Sequence, residues 1–219
     1  MSLVQAVVTE NFIIVAAETR GIKPDGTMID SCNKLVKLNS QIIFGCTGGV
    51  KDNYELFEGF CNYSNEKGLT KLNDDIIMSY KEFVYIITKK FNELKMIHDD
   101  KSNSKTYEIM SIVCGYNGNE FEGTTFSLSP NDNQPNGIFV AKRKWDFPYK
   151  CISAGKIEHK EEFEKLTNQY HDIGLYDFTT IRQYKNILME VFERCSIIDS
   201  EINNNVVFER IRLKDVIKK

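Results

Sequence analysis

The chain is short of the residues that most often announce a function. It has three histidines, one tryptophan and four prolines in 219 residues. Histidine-rich metal sites and proline-rich recognition segments are therefore excluded. No apolar run approaches the ~20 residues that span a bilayer, and the start has neither the basic flank nor the long apolar stretch of a secretion signal. The expectation is a cytoplasmic protein with no membrane partner. Neither charge dominates: 28 Lys and Arg face 31 Asp and Glu, for a formal net charge of -3. Nucleic acid is not the expected partner, because phosphate contacts need concentrated Lys and Arg. The basic runs Lys142-Arg143-Lys144 and Lys218-Lys219 read as solvated loop and tail. Six cysteines, at 32, 46, 61, 114, 151 and 195, form no CxxC pair and no zinc-like spacing with histidine. They read as reduced residues in apolar segments, and no metal or cofactor is expected.

What is present is an ordinary globular balance, 42% hydrophobic and 27% charged, in one expected domain over residues 1–219. Residues 4–9 and 12–18 read as a hairpin about Glu10-Asn11. The second strand, Phe12-Ile13-Ile14-Val15-Ala16-Ala17, is apolar on both faces, as a strand between two layers must be. Residues 21–28 are punctuated as loop, and strands are expected at about 31–38 and 41–46. After Gly48-Gly49 the period changes to helical, with Tyr54, Phe57 and Cys61 sharing a face. A long amphipathic helix is predicted from about Asp74 to Leu94. Strands resume at about 106–115, 121–128, 137–143 and 149–154. Helices follow at 158–167 and 179–197, and a last strand at 205–212. Strand runs and helix runs are segregated, which predicts α+β: two sheets face to face with helices on each outer side.

One constellation carries chemistry. A serine hydroxyl needs a base. At a chain start the residue's own α-amine, with an ordinary pKa near 7.7–8.0, supplies one. Ser2 follows Met1 and fills that role only if Met1 is removed. Lys34 sits among Leu35, Val36 and Leu38, where an unpaired ammonium is costly, and Glu18, at the end of the buried strand, is its natural partner. Gly48 opens a helix, where backbone N–H groups point outward as oxyanion donors.

These residues resemble the β-type subunits of proteasomes and their bacterial relatives, the N-terminal nucleophile hydrolases. That family has a terminal threonine, a strand ending in Asp-x-Arg, a lysine some fourteen residues on and a Gly-Gly about fourteen later. Here Ser2, Glu18-Thr19-Arg20, Lys34 and Gly48-Gly49 keep the spacing. Ser153-Ala154-Gly155 and Asp199 are weaker echoes. The resemblance implies a four-layer αββα sandwich. Its catalytic set would be Ser2, Glu18, Lys34, Gly48 and Asp199. It also implies a mostly apolar substrate pocket at Gly21, Cys32, Val36, Cys46, Val50 and Tyr54, for a peptide or small amide. Members assemble into rings, so a homo-oligomer is expected, and a partner ATPase is compatible with the family.

The chain departs from the pattern in four places. Serine replaces threonine, and Glu18 is one methylene longer than aspartate. Asp199 is followed by Ser200-Glu201-Ile202-Asn203-Asn204 in place of Ser-Gly-Gly, and Lys156 stands where a serine is expected. Two main readings stay open: an amide-bond hydrolase, and a catalytically inactive proteasome-like fold used for assembly or ligand binding. A third, a hydrolase using Cys46 or Cys32, lacks a histidine nearby in sequence.

Overall fold

The computed structural model describes residues 2–23, 25–49, 51–57, 78–100, 102, 106–130, 136–142, 148–174 and 177–217. The strands are β1 (Val4–Thr9), β2 (Phe12–Glu18), β3 (Gly21–Ile22), β4 (Met28–Ile29), β5 (Leu35–Asn39) and β6 (Ile42–Gly48), then β7 (Ile109–Tyr116), β8 (Phe121–Leu128), β9 (Gly137–Lys142), β10 (Tyr149–Ala154) and β11 (Val206–Arg212). The helices are α1, described over residues 51–57, α2 (Tyr80–Asp99), α3 (Ile157–Asp172), α4 (Ile181–Ile198) and the short α5 (Leu213–Val216).

Two antiparallel sheets carry the fold, in the orders β10-β1-β2-β11 and β5-β6-β7-β8-β9. Side chains alternate across a strand, and β2 shows what that demands here. Ile13, Val15 and Ala17 join the core between the sheets, with Ile43 and Ile112 of the second sheet. Phe12, Ile14 and Ala16 point the other way, into a core shared with Phe163 of α3 and with Tyr184, Leu188 and Val191 of α4. Both faces are buried, so no polar residue interrupts the run. A third core lies on the far side of the second sheet, where Phe83, Ile87, Phe91 and Leu94 of α2 meet Phe44, Val113 and Phe126.

The helices begin where local chemistry starts them. Ser79 caps α2 in a reciprocal capping box with Glu82, and Thr180 does the same for α4 with Gln183. The expected start of α2 near Asp74 is therefore corrected to Tyr80, because Ser79 has extended, non-helical dihedrals. Ile76 and Ile77 lie outside the described residues. The helix also runs past Leu94 to Asp99, where Lys95 pairs with Asp99 one turn on at 2.6 Å. α3 is longer than predicted, reaching Asp172, with the Tyr170 hydroxyl bonded to Glu190 of α4.

The first strand of the second sheet starts later than expected, at Leu35, because the Asn33 side chain accepts from the Leu35 N–H at 3.2 Å. Its neighbour runs further, to Gly48, paired there with Ile109 of β7. Gly48 has φ +90°, a backbone angle that glycine alone adopts freely. The loop expected at 21–28 holds the small β3–β4 pair at its ends. In α1, Tyr54 is exposed and Asn53 and Leu56 are buried. This turns the helix from the predicted face, so that the Asn53 amide can reach the carbonyls of Thr47 and Gly49 at 2.9 and 3.0 Å. Cys61 lies outside the described residues.

Candidate active site

The site sits at one end of the two sheets, where β1 begins, β2 ends and β5 has not yet started. Glu18 closes β2 and is fully buried. Each of its carboxylate oxygens is occupied. One accepts from Lys34 Nζ and from the Leu3 N–H, the latter at 3.3 Å, and the other accepts from the Arg20 N–H. The Leu3 bond ties down the chain start, and Glu18 N–H returns a bond to the Leu3 carbonyl at 3.4 Å.

Ser2 is thereby held against Lys34. The ammonium donates to Ser2 Oγ at 2.7 Å, to Glu18 Oε1 and to the Arg20 carbonyl. An ammonium has three hydrogens, so all three are used. Lys34 is 8% exposed. Burial pulls its pKa down, and the adjacent Glu18 carboxylate opposes that pull without cancelling it. An ammonium 2.7 Å from a hydroxyl, in a site largely closed to water, is suited to stabilise negative charge that develops on that oxygen.

Gly48 lines the same cavity as Ser2 and Lys34. Along β6 the N–H groups alternate in direction. That of Cys46 donates to the Lys34 carbonyl at 3.0 Å and that of Gly49 to the Glu108 carbonyl at 3.1 Å. By the same alternation the Gly48 N–H faces the Lys34 side, beyond the start of β5. Asp52 holds the turn from the other flank by accepting from the Glu108 N–H at 3.0 Å.

A cavity of ≈630 Å³ opens beside Ser2, Lys34 and Gly48. Gly21, Cys32, Val36, Cys46 and Tyr54 of the expected pocket line it, and Val50 lies outside the described residues. Phe44 and Phe57 add apolar wall, while Asn53, Glu108 and Glu201 add polar lining that sequence reasoning missed. A Cβ at Gly21 would meet Cys32 Sγ at 2.3 Å, so the sulfur would have to shift to admit one.

Asp199 is in a second cluster. It caps the end of α4 and pairs with Lys156 at 2.7 Å and His159 at 3.5 Å. Its other oxygen accepts from the Glu201 N–H at 3.0 Å. No hydrogen bond joins it to Ser2 or Lys34 among the described residues. His159 is 1% exposed, and its pKa is lowered, by burial first and by the Lys156 charge, against the pull of Asp199. Gly155 packs the first turn of this cluster under the chain start: a Cβ there would lie 3.0 Å from the Ser2 carbonyl and 3.6 Å from His159 Nδ1.

A third set fastens the two clusters. Arg20 grips Asp30 through two bonds of 2.7 and 3.1 Å and donates to the Ser200 carbonyl at 2.7 Å. Asn203 accepts from the Thr19 N–H at 3.2 Å and donates to its hydroxyl at 3.3 Å. Ser200 and Asn203 thus serve as a clasp on the end of β2.

No protein-family model and no curated protein matches the sequence. Among solved structures, the crystal structure of eukaryotic HslV from Trypanosoma brucei matches 96% of this chain and 99% of its own, with a TM-score of 0.59 and 16% identity. The fold is proteasome-like. At that identity the likeness speaks for the fold alone. No helix among the described residues is long and apolar enough to cross a membrane.

Proposed function

We propose that this chain is an amide-bond hydrolase with Ser2 as nucleophile, acting once Met1 is removed. The observation that carries the reading is the contact of Lys34 Nζ with Ser2 Oγ at 2.7 Å inside a buried carboxylate–ammonium pair. In this reading the freed α-amine of Ser2 takes the hydroxyl proton, directly or through water, as Oγ attacks the carbonyl. Lys34 stabilises the developing negative charge, and Glu18 fixes Lys34. The Gly48 N–H receives the oxyanion, a contribution of about 3 kcal/mol where a donor is well aimed. The proton then passes to the leaving amine, and water releases the acyl group from Ser2. Asp199 acts from behind, through the segment around Gly155.

The cavity lined by Cys32, Val36, Cys46 and Tyr54 suits an apolar side chain before the cleaved bond. The three cores separated by two sheets fit a four-layer αββα sandwich in one domain. By likeness to proteasome-type assemblies, we further propose a cytoplasmic homo-oligomer with a partner ATPase.

A second reading, an inactive fold serving assembly or ligand binding, is favoured by one observation: Asp199 is engaged by Lys156, where the family pattern has a serine. One experiment separates the two. The protein is made from its natural start codon, its first residue is read by intact mass, and fluorogenic peptides with an apolar residue before the scissile bond are supplied. The hydrolase reading expects a chain beginning at Ser2 and turnover that Ser2→Ala abolishes. A retained methionine with no turnover supports the inactive fold.

A further inference from the structure

A second cavity opens at one edge of the paired sheets. β10 is the edge strand of its sheet and lies over β7, β8 and β9. Strand alternation decides what faces the gap between them. On β8, Phe126 and Leu128 turn to the core beneath α2, so Thr125 and Ser127 turn the other way, toward β10. Phe139 of β9 stands opposite Thr125 and shares its face. On β10, Ile152 faces the core between the sheets, and Lys150, two positions back, leaves the strand on the same face. These residues line a cavity of ≈350 Å³, together with Met110 and with Lys156 and Lys160 at the start of α3.

The charge in this cavity is of one sign. No carboxylate lines it among the described residues, in a chain whose acids outnumber its bases. Lys150 is half-buried and has no ion pair among the described residues. Lys160 approaches Glu164 only at 3.9 Å. Lys156 is already committed to Asp199 at 2.7 Å. The first two charges bear on the cavity wall: burial pushes the Cys151 thiol up to about 12, and Lys160 and Lys150 pull against that rise while Glu164 adds to it. Ser127 is 4% exposed, yet its hydroxyl has no hydrogen-bond partner among the described residues. Nor is it sealed in, as Ser111 Oγ on the next strand is. A buried hydroxyl in want of a partner is free to bond whatever enters.

We propose that this cavity binds a small organic carboxylate, its anion held by Lys150, Lys160 and Ser127 and its apolar body laid against Phe139, Met110 and Ile152. Ammonium and hydroxyl donors bond an ionised acceptor more strongly than a neutral one. The apolar wall favours a ligand with a hydrocarbon body over a bare inorganic anion. The site does not rest on the hydrolase reading, since neither Ser2 nor Lys34 lines it.

The test titrates the full chain with octanoate, octanamide and inorganic phosphate by calorimetry, and follows the methyl groups of Met110 and Ile152 by NMR. One octanoate per chain is expected, with shifts at both methyl-bearing residues. Octanamide keeps the apolar body without the charge, and phosphate keeps charge without the body. Each should bind at least about tenfold more weakly than octanoate. Lys150→Met and Lys160→Met keep the apolar stems and should each weaken octanoate about tenfold. No saturable binding of octanoate overturns the proposal. So does octanamide binding equally well, which would leave an apolar hole and no anion site. Phosphate binding as tightly as octanoate overturns the carboxylate assignment. Shifts confined to Ile22, in the cavity beside Ser2, overturn the location. The three ligands are compared on wild type, so the result stands even where a lysine variant fails to fold, and it stands whether or not Ser2 is catalytic.

Discussion

Two lysine–carboxylate pairs flank the start of this chain, and they are built differently. In the Lys34–Glu18 pair the side chains are 9% and 0% exposed. In the Lys156–Asp199 pair they are 41% and 8% exposed. The first ammonium spends all its donors on protein oxygens, one of them the Ser2 hydroxyl. The second stays half in water. Desolvation is what makes a charge strong toward its neighbours and costly to leave alone. The contrast teaches that position beside the chain start is not enough. The inner pair is equipped to act on a hydroxyl, and the outer pair to hold an element in place.

That difference can be broken one residue at a time. The largest effect should come from Lys34→Ala, which leaves the Glu18 carboxylate buried without its cation. A loss of about 3–5 kcal/mol is expected in urea unfolding. Adding Glu18→Leu removes the stranded charge, so the double variant should recover much of that loss. If Lys34→Ala alone costs almost nothing, the inner pair is not sealed from water. Asn203→Ala should cost about 1–2 kcal/mol by the same measurement, since it removes two bonds to Thr19 that clasp the end of β2.

The outer cluster should announce itself through pH. The pKa of His159 is lowered in the folded chain, with Asp199, Lys156 and Glu158 facing it. Between its folded value and the ordinary one near 6.5, the unfolded chain binds the extra proton. Stability should therefore fall as pH drops below about 6.5 and be fully retained above it. His159→Gln should flatten that slope in urea midpoints taken from pH 5 to 7, and an unchanged slope would move the proton uptake elsewhere. The smallest effect should be that of Lys156→Ala, within about 1 kcal/mol, because its side chain is largely solvated. A loss as large as that of Lys34→Ala would erase the distinction between the pairs.

Much of this arrangement was legible in the sequence because it is local or periodic. An unbroken apolar strand such as residues 12–17 has to be covered on both faces, and it is. A lysine among Leu35, Val36 and Leu38 needs a buried partner, and the end of that apolar strand offers Glu18. The less legible parts are those that join distant segments. Thr19 and Asn203 lie 184 positions apart, and neither type signals the other. His159 falls within the helix predicted at 158–167, and nothing nearby in sequence points to Asp199 until α3 and the end of α4 bring the two together. The turn of α1 was misread because Asn53, a polar residue, takes the inward position to satisfy the carbonyls of Thr47 and Gly49. The capping of α2 at Ser79 was missed because the apolar period continues upstream of it.

The account depends most on the Lys34 ammonium acting on the Ser2 hydroxyl. The measurement that reaches it directly is the second-order rate at which a β-lactone acylates Ser2, on chains verified by mass to begin at Ser2, in wild type and in Lys34→Met. We expect the acyl group on Ser2 and a rate at least about 100-fold lower in the variant, the scale of a lost charge-stabilising donor. Equal rates in the two proteins, or no acylation of wild type, would contradict it.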